Sequence, residues 1–269
     1  MAEVVFNDTG KMPMQNIQIK GLRNTRDLGG LPTERGVIVR AGLLLRGGHL
    51  HDVDARNAAK LQSAYQVRHI IDLRTDIERD EKPDAPIPGA RYYHLPILEA
   101  ATVGITHEQA SDDRASLLAR LPDIRELYAS MVVGDAAERL SSVVRLIVEA
   151  GARNEPVLFH CTEGKDRTGL VSLVLLSMLD VPMEAILEDY LFTNGYARSR
   201  ARKYYWIVLL LKRDRALARK IRGLFLADKT YLDAALEAIE RNYGSMRAFV
   251  TDGLHITEQE QRAFSENMT

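Results

Sequence analysis

Pro156-Val157-Leu158-Phe159-His160-Cys161-Thr162-Glu163-Gly164-Lys165-Asp166-Arg167-Thr168-Gly169 runs from a short apolar segment through a polar turn into a second apolar run, Leu170 to Leu179. Pro156 to His160 has the brevity of a buried strand. Leu170 to Leu179 has the composition of a buried helix, stopped by Asp180-Val181-Pro182. The residues between them form a strand-to-helix loop. Such a loop aims successive backbone N–H groups at one place and adds the positive end of a helix dipole, which makes an anion site.

Cys161, the one cysteine of the chain, opens this loop. In that field a thiol is expected to be held as a thiolate, ready to act as a nucleophile. Arg167 stands six residues on, where a planar guanidinium closes a ring around three non-bridging phosphate oxygens, a geometry lysine does not reproduce. Thr168 is expected to bring a hydroxyl to the cysteine sulfur. Gly164 and Gly169 supply positive φ and close helix packing. Thr162, Glu163, Gly164, Lys165, Asp166, Arg167 and Thr168 are therefore the expected phosphate-binding residues. An isolated cysteine is ordinarily an inert core residue. Here His160, Gly164, Arg167, Thr168 and Gly169 at fixed offsets from it argue for chemistry instead.

Outward from the loop, Val67 to Leu73 reads as a core strand closed by Asp72 and Arg74. Arg91 to Ile97 reads as another, nearer an edge because of Pro96, and Val37 to Leu45 as a strand or hairpin arm. Ser111 to Gly151 carries apolar residues at helical spacing, and after the loop the pattern is almost all helix, ending in the capping box Thr257-Glu258-Gln259-Glu260. Strands separated by helices predict an α/β fold with a central, mostly parallel sheet covered on both faces. Ligand sites in such sheets lie off the carboxyl ends of strands, so Asp72, Arg74 and Cys161 are expected to share one crevice.

The 269 residues are 46% hydrophobic and 27% charged, with no tandem repeat or linker, and are read as one domain over 1–269. A net charge of −1 gives no argument for nucleic-acid binding, and one cysteine excludes an internal disulfide framework. Met1 to Gln15 lacks the basic start and apolar core of a secretory signal, which makes the cytoplasm the default location. Charge is unevenly spread. Tyr196 to Arg222 holds ten Lys or Arg against Asp214 alone, around the apolar run Tyr204-Tyr205-Trp206-Ile207-Val208-Leu209-Leu210-Leu211. A packed helix with a solvated basic face and an interfacial helix on anionic lipid both fit this pattern.

His160-Cys161-Thr162-Glu163-Gly164-Lys165-Asp166-Arg167-Thr168-Gly169 resembles the C-x5-R-[ST] loop of the cysteine-dependent phosphatases, and more narrowly that of the atypical bacterial tyrosine phosphatases. Asn24-Thr25-Arg26-Asp27-Leu28-Gly29-Gly30, Ile71-Asp72-Leu73-Arg74, Asp189-Tyr190-Leu191-Phe192-Thr193-Asn194 and Tyr231-Leu232-Asp233-Ala234-Ala235-Leu236 are similar to other signatures of that family, although Thr25 stands where it has an aromatic. The resemblance implies a cysteine-phosphatase-like fold with a helical lid at about residues 196–226. It also implies hydrolysis of phosphotyrosine, with phosphoserine, phosphothreonine and phosphoinositides as further substrates, and it allows export without a signal. It places Asp166 in the site as the expected proton donor. Asp72 is the second candidate and Glu99 a third.

The expected reaction passes through a phosphocysteine and needs no metal or cofactor, and the seven histidines show no ligand spacing. The expected partners are a phosphorylated protein or phosphoinositide substrate and an anionic membrane surface. Lys165, a charge beyond what phosphotyrosine requires, favours the inositol lipid. A phospho-ligand-binding protein without turnover and a sulfurtransferase are the alternatives from other classes.

Overall fold

The computed structural model describes residues 15–99 and 123–269. Side chains alternate across a pleated strand, and three strands use that alternation to divide the core in two. Leu44, Ile71, Val157 and Phe159 face one apolar cluster, and Leu45, Ile70 and Leu158 face the other. Strands β1 (Gln15–Asn16), β2 (Arg26–Asp27), β3 (Leu44–Gly47), β4 (His69–Asp72), β5 (Arg91–His94) and β6 (Val157–His160) form one sheet in the order β1-β2-β3-β6-β4-β5. β3, β6, β4 and β5 are parallel, while β1 and β2 run antiparallel at one edge. The fold is therefore α/β with a mostly parallel sheet. β5 lies at the other edge, as Pro96 foretold.

The two faces are covered unequally. Helix α1 (Ala55–Tyr65) covers one, burying Ala58 and Leu61. The other carries α3 (Ile124–Ser130), α4 (Gly134–Ala152), α5 (Asp166–Met178), α6 (Met183–Phe192), α9 (Lys229–Tyr243) and α10 (Glu258–Met268). Short α2 (Asp76–Glu81) follows β4 directly. α5 is buried almost all round, from Arg167 to Leu176, as a central helix must be. It ends at Met178, and Asp180, with a φ of 55°, turns the chain away ahead of Pro182. The capping box at Thr257 and Glu260 starts α10.

Two expectations shift. α5 begins at Asp166 rather than Leu170, so Arg167, Thr168 and Gly169 belong to its first turn; the chain reverses at Gly164 (φ +64°) and is helical two residues later. Val37 to Leu45 divides at Gly42 (φ +83°): Val37 and Val39 close a small hairpin on Thr33 and Leu31, and only Leu44 and Leu45 enter the sheet. Of the helical pattern from Ser111 to Gly151, residues 111–122 lie outside the described residues, as do 1–14 of the N-terminal segment.

The basic segment forms a helical hairpin, α7 (Asn194–Lys212) and α8 (Arg215–Phe225), turned at Arg213 (φ 52°) and capped by Asp214, which accepts from Ala216 N and Leu217 N. Tyr204 of α7 stacks on Phe225 of α8, ring centroids 4.9 Å apart. α7 buries only Ala201, and Leu210 and Leu211 are 72% and 76% exposed. Among the described residues, no helix is long and apolar enough to cross a membrane.

Candidate active site

β6 and β4 run side by side and place His160 opposite Asp72 at their carboxyl ends, and β3 brings Gly47 to the other side of His160. Cys161 follows, 2% exposed. The loop then folds back so tightly on β3 that a Cβ on Gly164 would lie 2.4 Å from the Gly47 carbonyl carbon. Glycine is therefore required there twice, by space and by φ. Among the described residues, no protein group accepts from the backbone N–H groups of residues 162–168, which leaves them free for an anion.

Arg167, in the first turn of α5, is buried and held in a fork by Glu78 of α2: Nη1 donates to Oε2 at 2.6 Å and Nη2 to Oε1 at 2.8 Å. Thr162 Oγ1 donates to the same carboxylate at 2.5 Å. Burial alone would raise the Glu78 pKa, but the Arg167 guanidinium outweighs it and holds the group at about 2. Burial alone would lower the Arg167 pKa, but Glu78 and the charge of Cys161 raise it. Glu78 is not among the residues singled out from the sequence. Its signal was present in Thr75-Asp76-Ile77-Glu78, a capping box directly after Arg74 that the structure forms in both directions.

Behind the loop lies a buried polar layer. Asn24 Nδ2 donates to the carbonyls of Glu163 and Gly164, each at 2.9 Å, and Arg46 Nη2 donates to Gly164 O at 3.0 Å. Arg26 and Arg46 sit opposite each other in the β2–β3 register, both fully buried. Asp189 of α6 joins them, accepting from Arg26 Nε at 2.6 Å and from Arg46 Nη1. Burial lowers the Arg46 pKa to about 10, assisted by Arg26 and opposed by Asp189. Asp27 instead braces a turn, accepting from Gly29 N and Gly42 N.

The expected site residues divide. Asp72 is fully buried and accepts from Arg74 Nε and Nη2 and from Tyr92 Oη at 2.7 Å. Burial would raise its pKa, yet Arg74, His160 and Tyr92 hold it well below the carboxylate range. These contacts give Asp72 the surroundings of a buried counter-ion of Arg74. His160 is fully buried, with Nε2 2.9 Å from Asp84 Oδ2. Glu99 is exposed and paired with Arg139 of α4. Asp166 remains, its side chain 29% exposed, with Oδ1 accepting from Tyr128 Oη at 2.8 Å.

Lys165 does not present its ammonium as a free charge. Its Nζ donates to Leu224 O at 2.6 Å and Leu226 O at 3.3 Å, capping the carboxyl end of α8. Glu163 points outward to Arg200 of α7. Loop and hairpin thus meet at two charged contacts, around a cavity of about 210 Å³ lined by Asn24, Glu163, Lys165, Tyr196, Arg200 and Phe225 among others. Thr168 Oγ1 is buried without a hydrogen-bond partner among the described residues, so the expected bond to the sulfur is not made here. Gly169 packs as expected: a Cβ there would lie 2.9 Å from Tyr190 Cδ2.

The model of the family described as "Tyrosine phosphatase family" matches residues 17–269. A Cupriavidus necator protein assigned by name as a tyrosine-protein phosphatase is 29% identical over 239 residues, 87% of this chain and 82% of that one. The triple specificity protein phosphatase PtpB of Mycobacterium tuberculosis is 25% identical over 263 residues, 87% of this chain and 92% of that one. The crystal structure of P. aeruginosa TpbA aligns at 18% identity over 82% of this chain and 96% of that one, with a TM-score of 0.36, a likeness too slight to bear on the fold. With the match running from residue 17, just after β1, through the phosphate loop to the last helix, the chain belongs to the tyrosine phosphatase family.

Proposed function

We propose that the chain hydrolyses phosphate monoesters, phosphotyrosine first among them, by double displacement on Cys161. Sγ attacks phosphorus; the S–P bond forms as the P–O bond to the leaving group breaks, and the electron pair departs on an oxygen protonated by Asp166. Water, deprotonated by the Asp166 carboxylate, then attacks the phosphocysteine, and the S–P bond breaks to return thiolate and release phosphate. The loop amides of Thr162 to Thr168 and the Arg167 fork stabilise the equatorial oxygens, where the charge is spread. The observation that carries this reading is the two-bond clamp of Glu78 on Arg167, six residues after Cys161 in a loop whose backbone N–H groups have no protein acceptor among the described residues. Thr168, whose hydroxyl has no hydrogen-bond partner among the described residues, supplies a donor as charge returns to sulfur.

Residues 1–269 act in this reading as a single phosphatase domain, with the α7–α8 hairpin, about 196–226, as a lid that admits substrate. The M. tuberculosis relative carries triple specificity in its name, and similar breadth, to phosphoserine and phosphothreonine, is proposed here. A second reading is phosphoinositide hydrolysis at an anionic membrane, favoured by the exposed Leu210 and Leu211 at the end of α7. Lys212 and Arg213 follow them directly in the chain, and Arg198, Arg202, Lys203 and Arg222 add positive charge elsewhere on the hairpin.

Phosphate release from phosphotyrosine, phosphoserine and phosphothreonine peptides and from phosphoinositides, soluble and in phosphatidylserine vesicles, tests both readings. Turnover of phosphotyrosine that is lost in Cys161→Ser supports the first, and turnover that persists in that variant rejects it. The second requires vesicle-borne lipid to be hydrolysed faster than soluble lipid, with the gain lost in Leu210→Asp/Leu211→Asp.

A further inference from the structure

The proposed acid does not stand alone. Tyr128 of α3 is fully buried, and its hydroxyl lies 2.8 Å from Asp166 Oδ1 and 2.8 Å from Tyr190 Oη of α6. A phenol has one proton. Donated to Asp166, it leaves the Tyr128 oxygen to accept from Tyr190, so the two hydroxyls form a directed chain that ends on the carboxylate. Burial is the main cause holding both phenols protonated, raising Tyr128 well above the usual tyrosine range and Tyr190 likewise. The rings are fixed as well: Tyr128 meets Tyr190 edge-on with centroids 6.3 Å apart, and Tyr231 of α9 tilts against it at 5.8 Å. Tyr190 in turn packs on Gly169, two residues after Arg167. One apolar wedge thus abuts both the helix that carries the guanidinium and the carboxylate.

Resting on the reading of Asp166 as acid, we infer that Tyr128 is the positioning residue of that acid: it occupies Oδ1, fixes the carboxyl rotamer and leaves Oδ2 as the oxygen that gives and takes the proton. Tyr190 orients Tyr128 in the same way. The charged and titratable groups facing Asp166 are Tyr128 from α3, Tyr190 from α6, Tyr231 from α9, and its chain neighbours Lys165, with Nζ at 3.4 Å from Oδ1, and Arg167. Among the described residues Tyr128 makes the one hydrogen bond to its carboxylate, on the same Oδ1 that the Lys165 ammonium faces.

The test is the dependence of kcat/KM on leaving group for wild type, Tyr128→Phe, Tyr190→Phe and Asp166→Asn, from aryl phosphates with acidic phenols to phenyl phosphate, with pH profiles on the last. Tyr128→Phe keeps the ring and its packing. It should lose about tenfold on the poor leaving group, the worth of one hydrogen bond to a charged group, and little on the good one. Its basic limb should move to higher pH, since a donor to the ionised carboxylate has gone. Tyr190→Phe should do the same more weakly. Because the readout is a ratio between substrates, partial loss of folded protein does not affect it. An equal loss on all substrates with an unmoved pH profile, while Asp166→Asn is strongly leaving-group dependent, would overturn the role of Tyr128 alone. An Asp166→Asn profile flat across leaving groups would overturn this inference together with the acid it rests on.

Discussion

Glu78 is the residue on which the geometry of the site turns. Its two oxygens hold both terminal nitrogens of Arg167 and the Thr162 hydroxyl, so one carboxylate sets the guanidinium plane and the first turn of the loop. Glu78→Gln keeps the shape and removes the charge. It should lower unfolding free energy at pH 7 by about 2 kcal/mol and kcat by at least about tenfold, read by urea unfolding and steady-state kinetics. The pH dependence has a fixed sign. A carboxyl group held at about 2, against an ordinary value of 4.5, contributes its stability fully above 4.5 and loses it as pH falls toward 2. Asp72, also held low, loses its contribution across the same acid window. The variant should therefore unfold with a shallower pH slope below 4.5, and an unchanged slope would show that the clamp is not the source. At this scale Cys161, Arg167 and Gly164 were legible because their spacing is local. Glu78, Arg46 and Tyr128 were not, because they reach the loop from 89, 118 and 38 residues away.

At the scale of elements, the loop and the hairpin are one mechanical unit. Lys165 caps the carboxyl end of α8, where unpaired carbonyls and the negative end of the helix dipole favour a buried cation. Lys165→Met should free that end while leaving the Glu78–Arg167 clamp intact. Limited trypsin digestion should then cut within residues 196–226 several-fold faster than in the wild type, and equal rates would show that the lysine is no latch. The charge and apolar run of this segment were plain in the sequence, and the turn at Arg213 and Asp214 follows from ordinary capping. The commitment of Lys165 was not legible, since a lysine in a phosphate loop reads equally as a ligand for phosphate and as a cap for a distant helix.

Over the whole molecule, the sheet and the helical layer are tied by Arg26, Arg46 and Asp189. Two like charges face each other across β2 and β3, tolerable only because a carboxylate from α6 lies between them. Asp189→Asn leaves two buried guanidinium groups without a counter-ion and should cost about 3–5 kcal/mol, measured by denaturant unfolding. A loss under about 1 kcal/mol would show that the layer is not held there. The α/β architecture was legible because periodicity and strand ends are written in short runs, whereas the antiparallel edge of β1 and β2 was not, for two-residue strands carry no period. The proposed reaction requires a covalent intermediate on Cys161, at the start of the loop. Rapid acid quench of the enzyme with a phosphotyrosine peptide carrying radiolabelled phosphate, followed by peptide mapping, should find the label on the sulfur of Cys161 and none in Cys161→Ser. Label on another residue, or turnover by an enzyme that never becomes labelled, would contradict it.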